Sequence, residues 1–557
     1  MELNVNAADT TNADQLRSGG GLGLTLTGAG VTVGLWDGGD VRATHVELVG
    51  NVTALDSVGL SSHATHVAGT IAAKGISPTR RGMASGVQIR SRDFNNDTTE
   101  MSADAGLIDL SNHSYGFARG WAGQLVNTPD GLRELWFGNY SVSGAEDSGF
   151  GNYGTESSTI DAIIHANPHL LSVWASSNDR NDTFSNAGGD GRFVGFFTTA
   201  PGSFHHNLGG GLYVVSNATG HPVPPKDGNG ANGYDTLPNG GQTAKNVLVV
   251  GSMADHLADP HNGAAMSLSV FSSIGPTDDG RLAPHVMGNG ESLSSSTSTN
   301  DSSYGVSSGT SMATPNVTGT AALLHEHWKN VSSADPDAAS LKALLIHTAT
   351  DVTGGMATSG PDYATGYGMV NGAAAANFAT DAFVTLPPSR THHVVIDALA
   401  DGAETVIANL IAVGGAIKAT LVWTDPAGTP QSGLDNLTPV LVNDLDLWIT
   451  DSSNNIYYPW TLNVANPSLA AVRTQLNHLD NVEQVLIDLA LAGDLFSIHI
   501  GHTGNLQGGL PQDFSLLFEG VTQAAVPEPA TRGLAALGLA IFLIRLACWS
   551  PQRGFRP

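Results

Sequence analysis

The chain contains very little cysteine and little positive charge. Its single cysteine, Cys548, lies near the C-terminus, so a disulfide within the chain is excluded and stability has to come from packing or from bound metal. Lys and Arg number 23 against 50 Asp and Glu, and the formal net charge is −27. A charge of this sign disfavours nucleic acid and anionic membrane surfaces as partners, and it suits an exported protein or one that binds cations.

Long hydrophobic runs are also nearly absent. The segment 1–30 is polar and rich in glycine, without the apolar core of a signal peptide. Residues 533–549 form the one apolar run, which Arg545 interrupts and which is short for a bilayer core of about 30 Å. We expect a short hydrophobic helix there, as the membrane candidate of this chain.

Strand patterns alternate with helical patterns through residues 31–382. The strand patterns begin near Val31, Val87, Leu107, Leu170 and Asn246. This alternation predicts an α/β domain with a doubly wound, mainly parallel sheet. Two long segments, 117–155 and 179–242, have the composition of loops, and we interpret them as insertions over the functional edge of the sheet.

Beyond residue 385 the pattern changes to short alternating strands. They begin near His393, Thr405, Lys418, Asp446, Val482, Phe496 and Phe514. Because a chain of 557 residues exceeds what one core organises, we expect a second domain, a β-sandwich or jelly-roll over 386–521. A tail follows at 525–557.

Four polar residues stand where strand patterns end or helical patterns begin. Asp37 ends the first strand pattern, and Asn178 follows the fourth. His63 and Ser311 open helical patterns. The carboxyl ends of strands carry the functional groups of open α/β sheets, and a helix N-terminus favours negative charge beside a serine oxygen. Taken singly, each residue has a simpler interpretation as a turn, packing or capping residue.

The two histidines of the first motif, His63 and His66, lie on one helix face and raise the alternative of a metal site. No third ligand is near, which argues against zinc. We expect His66, one turn into the helix, to be a hydrogen-bonded packing residue.

Both helical motifs resemble those of the subtilisin-like serine proteases, the subtilases. Residues 63–70 read HATHVAGT, similar to the histidine motif HGTHVAGT of the family, and residues 309–315 read GTSMATP, which matches its nucleophile motif at every position. The order Asp, His, Ser along the chain is that of subtilisin. The resemblance to the family covers about residues 20–380. Together with the expected C-terminal β-sandwich, the whole arrangement resembles the subgroup of subtilases that carry such a domain.

The resemblance implies a role for each residue. Ser311 would be the nucleophile, His63 its general base and Asp37 the carboxylate that orients the imidazole. Asn178 would donate its side-chain N–H to the tetrahedral oxyanion.

Substrate contacts are implied as well. Ser114, Tyr115 and Gly116 resemble the edge strand that pairs with the substrate backbone, and Ser177 and Gly309 would border the substrate site. The sequence departs from the family at Ser177, where glycine is typical, so the preference for the residue before the scissile bond stays open. Further departures are Gly38-Gly39 after the aspartate, Ala64 for the usual glycine and His285 for the usual aspartate.

Calcium is the metal that the resemblance implies. Asn443, Asp444 and Asp446 are hard oxygen donors close together, which suits Ca²⁺. A solvated turn in an acidic protein is the alternative.

The tail resembles a PEP-CTERM sorting signal of Gram-negative bacteria. Residues 526–529 read VPEP and precede the apolar run and a basic end. The resemblance implies export, retention by the short helix and cleavage by an exosortase-type enzyme, and a plain C-terminal anchor is the alternative. Since export requires an N-terminal signal and subtilases carry a propeptide, we expect that Met1 is not the natural start.

These features predict a secreted or cell-surface serine endopeptidase, a monomer that acts on protein substrates without a catalytic cofactor. A sedolisin-type peptidase shares the serine motif but uses glutamate as its base, and His63 and Asn178 argue against it. A catalytically silent surface adhesin, binding through the β-sandwich, is the alternative from another class.

Overall fold

The computed structural model describes residues 3–228, 233–254 and 261–523. Within these ranges no helix combines the length and the apolar character needed to cross a bilayer. The predicted hydrophobic helix and sorting signal of the tail lie outside the described residues.

The helices of the described ranges are α1 (Asn4–Thr10), α2 (Ala13–Leu16), α3 (Ser62–Ala72), α4 (Asp97–Asp104), α5 (Thr155–Ala166), α6 (Thr310–Ser332), α7 (Ala338–His347) and α8 (Gly372–Val384). The strands up to residue 307 are β1 (Thr32–Asp37), β2 (Val52–Ala54), β3 (Gln88–Asp93), β4 (Leu110–His113), β5 (Leu125–Thr128), β6 (Gly131–Asn139), β7 (Leu171–Ala175), β8 (Phe193–Phe196), β9 (His206–Gly209), β10 (Leu212–Val215), β11 (Leu248–Ala254), β12 (Ser267–Leu268), β13 (Val286–Asn289), β14 (Leu293–Ser296) and β15 (Tyr304–Ser307). The later strands are β16 (His392–Leu399), β17 (Thr405–Ala412), β18 (Gly415–Val422), β19 (Asp444–Asp451), β20 (Ile456–Tyr457), β21 (Val482–Ala490), β22 (Leu495–Thr503), β23 (Gln512–Glu519) and β24 (Val521–Gln523).

The central sheet has the strand order β2-β3-β1-β4-β7-β11-β13, and every neighbouring pair in it is parallel. Strand β12 adds an antiparallel edge to β11. Successive residues of β1 face opposite sides, as strand geometry requires. Val33 and Leu35 pack into the cluster that contains α3 and α6, whereas Trp36 packs into the cluster that contains α4 and α5. The predicted doubly wound parallel sheet is therefore confirmed.

The N-terminal segment is part of this core. Ala7, Ala8 and Leu16 are fully buried in the same cluster as α3 and α6. Asn316 of α6 donates to the carbonyl oxygen of Ala7 at 3.1 Å. The described part of the N-terminal segment, predicted over 1–30, thus packs against α6 through α1 and α2, because small apolar residues stand at helix spacing among the polar ones.

The two predicted loop insertions contain a sheet that the sequence reading missed. Strands β5, β6, β8, β10 and β9 form it in that order. One side is filled by an aromatic cluster that includes Trp121, Trp136 and Phe193. The strands are short and rich in glycine and asparagine, which resembles loop composition, but the burial of aromatic rings stabilises them.

Two antiparallel sheets make up the region after residue 391. Their strand orders are β16-β23-β18-β21 and β20-β19-β22-β17-β24. Side chains of both sheets, such as Leu421, Ile449 and Ile498, belong to one buried cluster. The first sheet packs against α7 through β18 and β23.

A buried lysine links this region to the central sheet. Lys245 has a fully buried side chain that forms an ion pair with Asp425. Its ammonium also donates to the carbonyl oxygens of Pro426 at 2.7 Å and Val440 at 3.0 Å. The Lys245 charge is thus satisfied entirely by the loop between β18 and β19.

Candidate active site

Asp37 and His63 form a close pair at one end of the sheet. Asp37 is the last residue of β1 and is 1% exposed. His63 is the second residue of α3, which Ser61 caps by accepting a hydrogen bond from the Ala64 N–H. The imidazole Nδ1 lies 2.9 Å from both carboxylate oxygens of Asp37. A proton on Nδ1 leaves Nε2 free to accept one.

The electrostatics of this pair favour the charged imidazole. Burial alone would lower the pKa of His63, but the hydrogen bond that its Nδ1 donates to Asp37 and the negative charge of that carboxylate together raise it above the usual value of 6.5. The carboxylate is itself held by the N–H of Gly38, which donates to Asp37 Oδ1 at 2.7 Å.

Ser311 stands at the N-terminus of α6, with Gly309 as the N-cap. Gly309 has φ of 151°, a backbone conformation that residues other than glycine rarely adopt. The Ser311 hydroxyl donates to the carbonyl oxygen of Ser114 at 2.9 Å. Because a hydroxyl carries one hydrogen, this bond uses the only hydrogen that the Ser311 side chain can donate.

Asn178 follows β7 and is oriented by the start of α6. Its Oδ1 accepts hydrogen bonds from the Thr310 N–H at 2.9 Å and from Thr310 Oγ1 at 3.2 Å. Thr310 thereby fixes the amide so that its NH₂ group is the end left for a ligand. The side chain is exposed, beside Ser311.

A cavity of about 230 Å³ opens next to Ser311 and is lined by residues that include Gly116, Ser177 and Asn178. Ser177 has φ of 89°, which explains why glycine is favoured at this position. Asp179 lies on the same wall, and burial raises its pKa to about 7. The sequence reading had not singled out this carboxylate.

The three residues of the segment 114–116 make different contacts. The Ser114 carbonyl accepts from Ser311, and the Tyr115 carbonyl accepts from Gln242 Nε2 at 2.8 Å. The Tyr115 hydroxyl donates to Asp97 at 2.7 Å. Gly116 is exposed at the cavity, so its backbone is the part best placed to meet an extended ligand.

Two other histidines are structural. His66 is buried and bonds through Nε2 to the Leu293 carbonyl at 3.0 Å, and burial lowers its pKa to about 4. His285 is buried, and its Nδ1 accepts from the Val249 N–H at 3.0 Å. Both are therefore neutral, and the hydrogen bond and burial of His66 match its prediction as a packing residue.

The three predicted calcium ligands do not all point to one place. Asn443 is engaged elsewhere, since its side chain accepts from the Gln507 N–H and donates to Gln512. Asp444 and Asp446 do lie together, with His478 Nδ1 2.9 Å from Asp444 Oδ2. Asp444 Oδ1 and Asp446 Oδ1 are buried and have no hydrogen-bond partner among the described residues.

Sequence reasoning missed the contributions of Ser114, Thr310 and Gln242. The hydroxyl of Ser114 donates to the Ser311 carbonyl at 3.1 Å. Pro315 was the available signal: it has no N–H for that carbonyl four residues earlier, so another donor was required.

Comparisons with known proteins agree with the fold and the motifs. The model of the Subtilase family matches residues 28–368. A serine protease/ABC transporter B family protein, tagA of Dictyostelium discoideum, is 29% identical over 262 residues, which are 40% of this chain and 14% of that protein. The chain thus spans a small part of this relative.

Two solved structures are also similar. The self-cleaved protease domain of PatA has a TM-score of 0.39 at 18% identity and covers 64% of this chain and 98% of its own. The prenylagaramide maturation protease PagA has a TM-score of 0.38 at 19% identity and covers 67% of this chain and 98% of its own. The family match spans more than half of the chain, and the chain belongs to the subtilase family of serine proteases.

Proposed function

We propose that this protein is a serine endopeptidase in which Asp37, His63 and Ser311 cleave peptide bonds through an acyl-enzyme. The observation that carries the proposal is the Asp37–His63 pair, in which Nδ1 lies 2.9 Å from both carboxylate oxygens. This geometry holds the imidazole in the tautomer that can accept a proton at Nε2.

Catalysis begins with proton transfer from Ser311 Oγ to His63 Nε2 as the oxygen attacks the scissile carbonyl. Asp37 stabilises the imidazolium that forms. The side-chain NH₂ of Asn178 and the backbone N–H of Ser311 stabilise the oxyanion. His63 then gives the proton to the leaving amine, and water repeats the sequence to release the acid.

The substrate is an extended polypeptide segment. The backbone of Gly116 pairs with it as an added strand, and the cavity bordered by Ser177 and Asp179 receives the side chain before the scissile bond.

Active-site labelling tests this function. A fluorophosphonate probe should label the wild-type protein and not Ser311→Ala, and casein hydrolysis should be abolished in that variant. His63→Ala should lose both signals while its circular dichroism stays unchanged. A wild-type protein that neither reacts nor hydrolyses casein would favour a surface adhesin.

We also propose a structural calcium ion at Asp444 and Asp446. Glu483 supports it, because the Oε1 of this buried carboxylate has no partner among the described residues. Burial, together with the negative charges of Asp446 and Asp444, raises the pKa of Glu483. Carboxylate oxygens are the ligands that Ca²⁺ prefers. The ion would neutralise their mutual repulsion and would take no part in the reaction.

We further propose that the protein is exported. The two antiparallel sheets would form a β-sandwich, and the tail 525–557 would hold the exported monomer at the membrane until an exosortase-type enzyme cleaves it. Cell fractionation and the intact mass of the mature protein test this, since a protein kept in the cytoplasm with its full tail contradicts it.

A further inference from the structure

A second group of carboxylates includes none of the residues assigned so far. Glu146 comes from the first insertion, Asp235 from the second, and Asp435 from the loop between β18 and β19. One oxygen of each lies within 4.8 Å of the other two. The chain therefore brings three acidic side chains from distant segments to one point.

A fourth carboxylate faces the same space. A Cβ atom placed on Gly151 would overlap Asp278 Oδ1 and would lie 2.7 Å from Asp235 Oδ1. Both oxygens thus border the small space left by the missing side chain of Gly151.

Two of these side chains are deeply buried and incompletely bonded. Asp235 is 6% exposed and Asp278 is 7% exposed. Asp235 Oδ1 and Asp278 Oδ2 have no hydrogen-bond partner in the described ranges. Buried carboxylate oxygens without partners are costly, so each unpartnered oxygen indicates that a further group belongs there.

The charges around the group are all of one sign. None of the four carboxylates forms an ion pair with Lys, Arg or His among the described residues. Burial and the neighbouring Asp435 raise the pKa of Asp278 to about 8. Burial and Glu146 likewise raise the pKa of Asp235. A bound cation would remove this repulsion and leave the carboxylates ionised.

The chemistry of the donor atoms indicates which ion the group would bind. Every ligand is a carboxylate oxygen, which excludes the nitrogen and sulfur chemistry of typical zinc sites. Calcium binds six to eight oxygens at about 2.3–2.6 Å, so two ligands on one ion stand up to about 5 Å apart. The oxygens of Glu146, Asp235 and Asp435 lie within 4.8 Å of one another and meet that limit.

We propose that Glu146, Asp235, Asp278 and Asp435 bind one calcium ion. The ion joins the two insertions to the C-terminal region. The same loop already contacts the catalytic region, because the Gln431 N–H donates to the Tyr153 carbonyl at 2.7 Å. The site shares no residue with Asp444, Asp446 and Glu483.

Calcium binding to the full chain tests the proposal. The parent is Ser311→Ala, which prevents self-digestion, stripped with chelator and titrated with Ca²⁺ in a calorimeter. Asp435 is exposed, so Asp435→Asn changes a ligand without disturbing the core. Asp513→Asn removes the same charge from another exposed position of the C-terminal region.

We expect Asp435→Asn to lose one calcium ion per chain, or to bind it at least about tenfold more weakly, and Asp513→Asn to match the parent. Asp444→Asn should keep the ion that Asp435→Asn loses, and the double variant should lose both. The proposal is overturned if the parent binds no calcium, if Asp435→Asn binds it as the parent does, or if Asp513→Asn loses as much. Binding is read without substrate, so failure here leaves the protease function standing.

Discussion

Ser114 and Ser311 hold each other through two hydrogen bonds of opposite direction. The Ser311 hydroxyl donates to the Ser114 carbonyl at 2.9 Å, and the Ser114 hydroxyl donates to the Ser311 carbonyl at 3.1 Å. The second bond replaces the helical donor that Pro315 lacks. Ser311 is thus positioned by the end of a neighbouring strand as well as by its own helix.

Ser114→Ala should destabilise the protein by about 1 kcal/mol, because the partly buried Ser311 carbonyl loses its donor. Pro315→Ala restores an N–H at the fourth residue after Ser311, so the double variant should recover part of the loss. Urea unfolding of the two single variants and the double variant measures this coupling. Strictly additive effects would show that Ser114 does not serve the Ser311 carbonyl.

The pH dependence of kcat/KM should report His63. The base has to be neutral to accept a proton, and its pKa lies above 6.5, so activity should rise with pH through a limb above that value. Asp37→Asn removes the charge that raises this pKa, so the limb should move to lower pH and kcat should fall by about 10⁴-fold.

Asp179 is the competing titrating group, because its pKa of about 7 falls in the same range. Asp179→Asn should leave the limb in place while changing KM. A limb that disappears in Asp179→Asn and persists in Asp37→Asn would reverse the assignment.

Asn178→Ala should lower kcat by about 10²–10³-fold with a small change in KM, because the side-chain NH₂ is needed where charge develops in the transition state. Steady-state kinetics on a peptide substrate measure the changes in kcat and KM separately. Thr310→Val is a matched variant that removes only the hydroxyl bond to Asn178 Oδ1, and it should lose far less. Equal losses of kcat and substrate affinity in Asn178→Ala would point to a role in ground-state binding.

Asp425→Ala should destabilise the whole chain by about 3–5 kcal/mol, because it leaves the buried ammonium of Lys245 unpaired. The same change removes the acceptor of the Val442 and Asn443 N–H groups. Thermal unfolding followed by calorimetry should show one lowered transition. Asp397→Ala, at an exposed position of β16, is the control. Two separate unfolding transitions in Asp425→Ala, one of them at the wild-type temperature, would contradict a tight link between the central sheet and the C-terminal region.

Chelator should lower the melting temperature of Ser311→Ala, since the carboxylates of Asp444 and Asp446 repel one another when calcium is removed. Added Ca²⁺ should restore it, and Asp446→Asn should reduce the calcium-dependent part. A melting temperature that chelator does not change would exclude structural calcium.

The sequence was informative where function depends on local motifs. Asp37 ends a strand and His63 and Ser311 open helices, so their positions follow from strand and helix patterns and from the order of the three residues. The alternation of Val33, Leu35 and Trp36 between two helical layers likewise follows from strand period alone.

Contacts between distant segments could not be read in this way. Nothing near Glu146 indicates that Asp235, Asp278 and Asp435 will face it, because these positions meet only after two regions pack together. The sheet of β5, β6, β8, β9 and β10 was missed since its strands depend on aromatic rings contributed by separate segments.

The buried ammonium of Lys245 also bears on biosynthesis. A ribosome releases residue 245 long before Asp425, Pro426 and Val440 have been made, and until then this cation has no partner in the fold. We expect the region around residue 245 to complete its fold only after the loop that follows β18 has emerged.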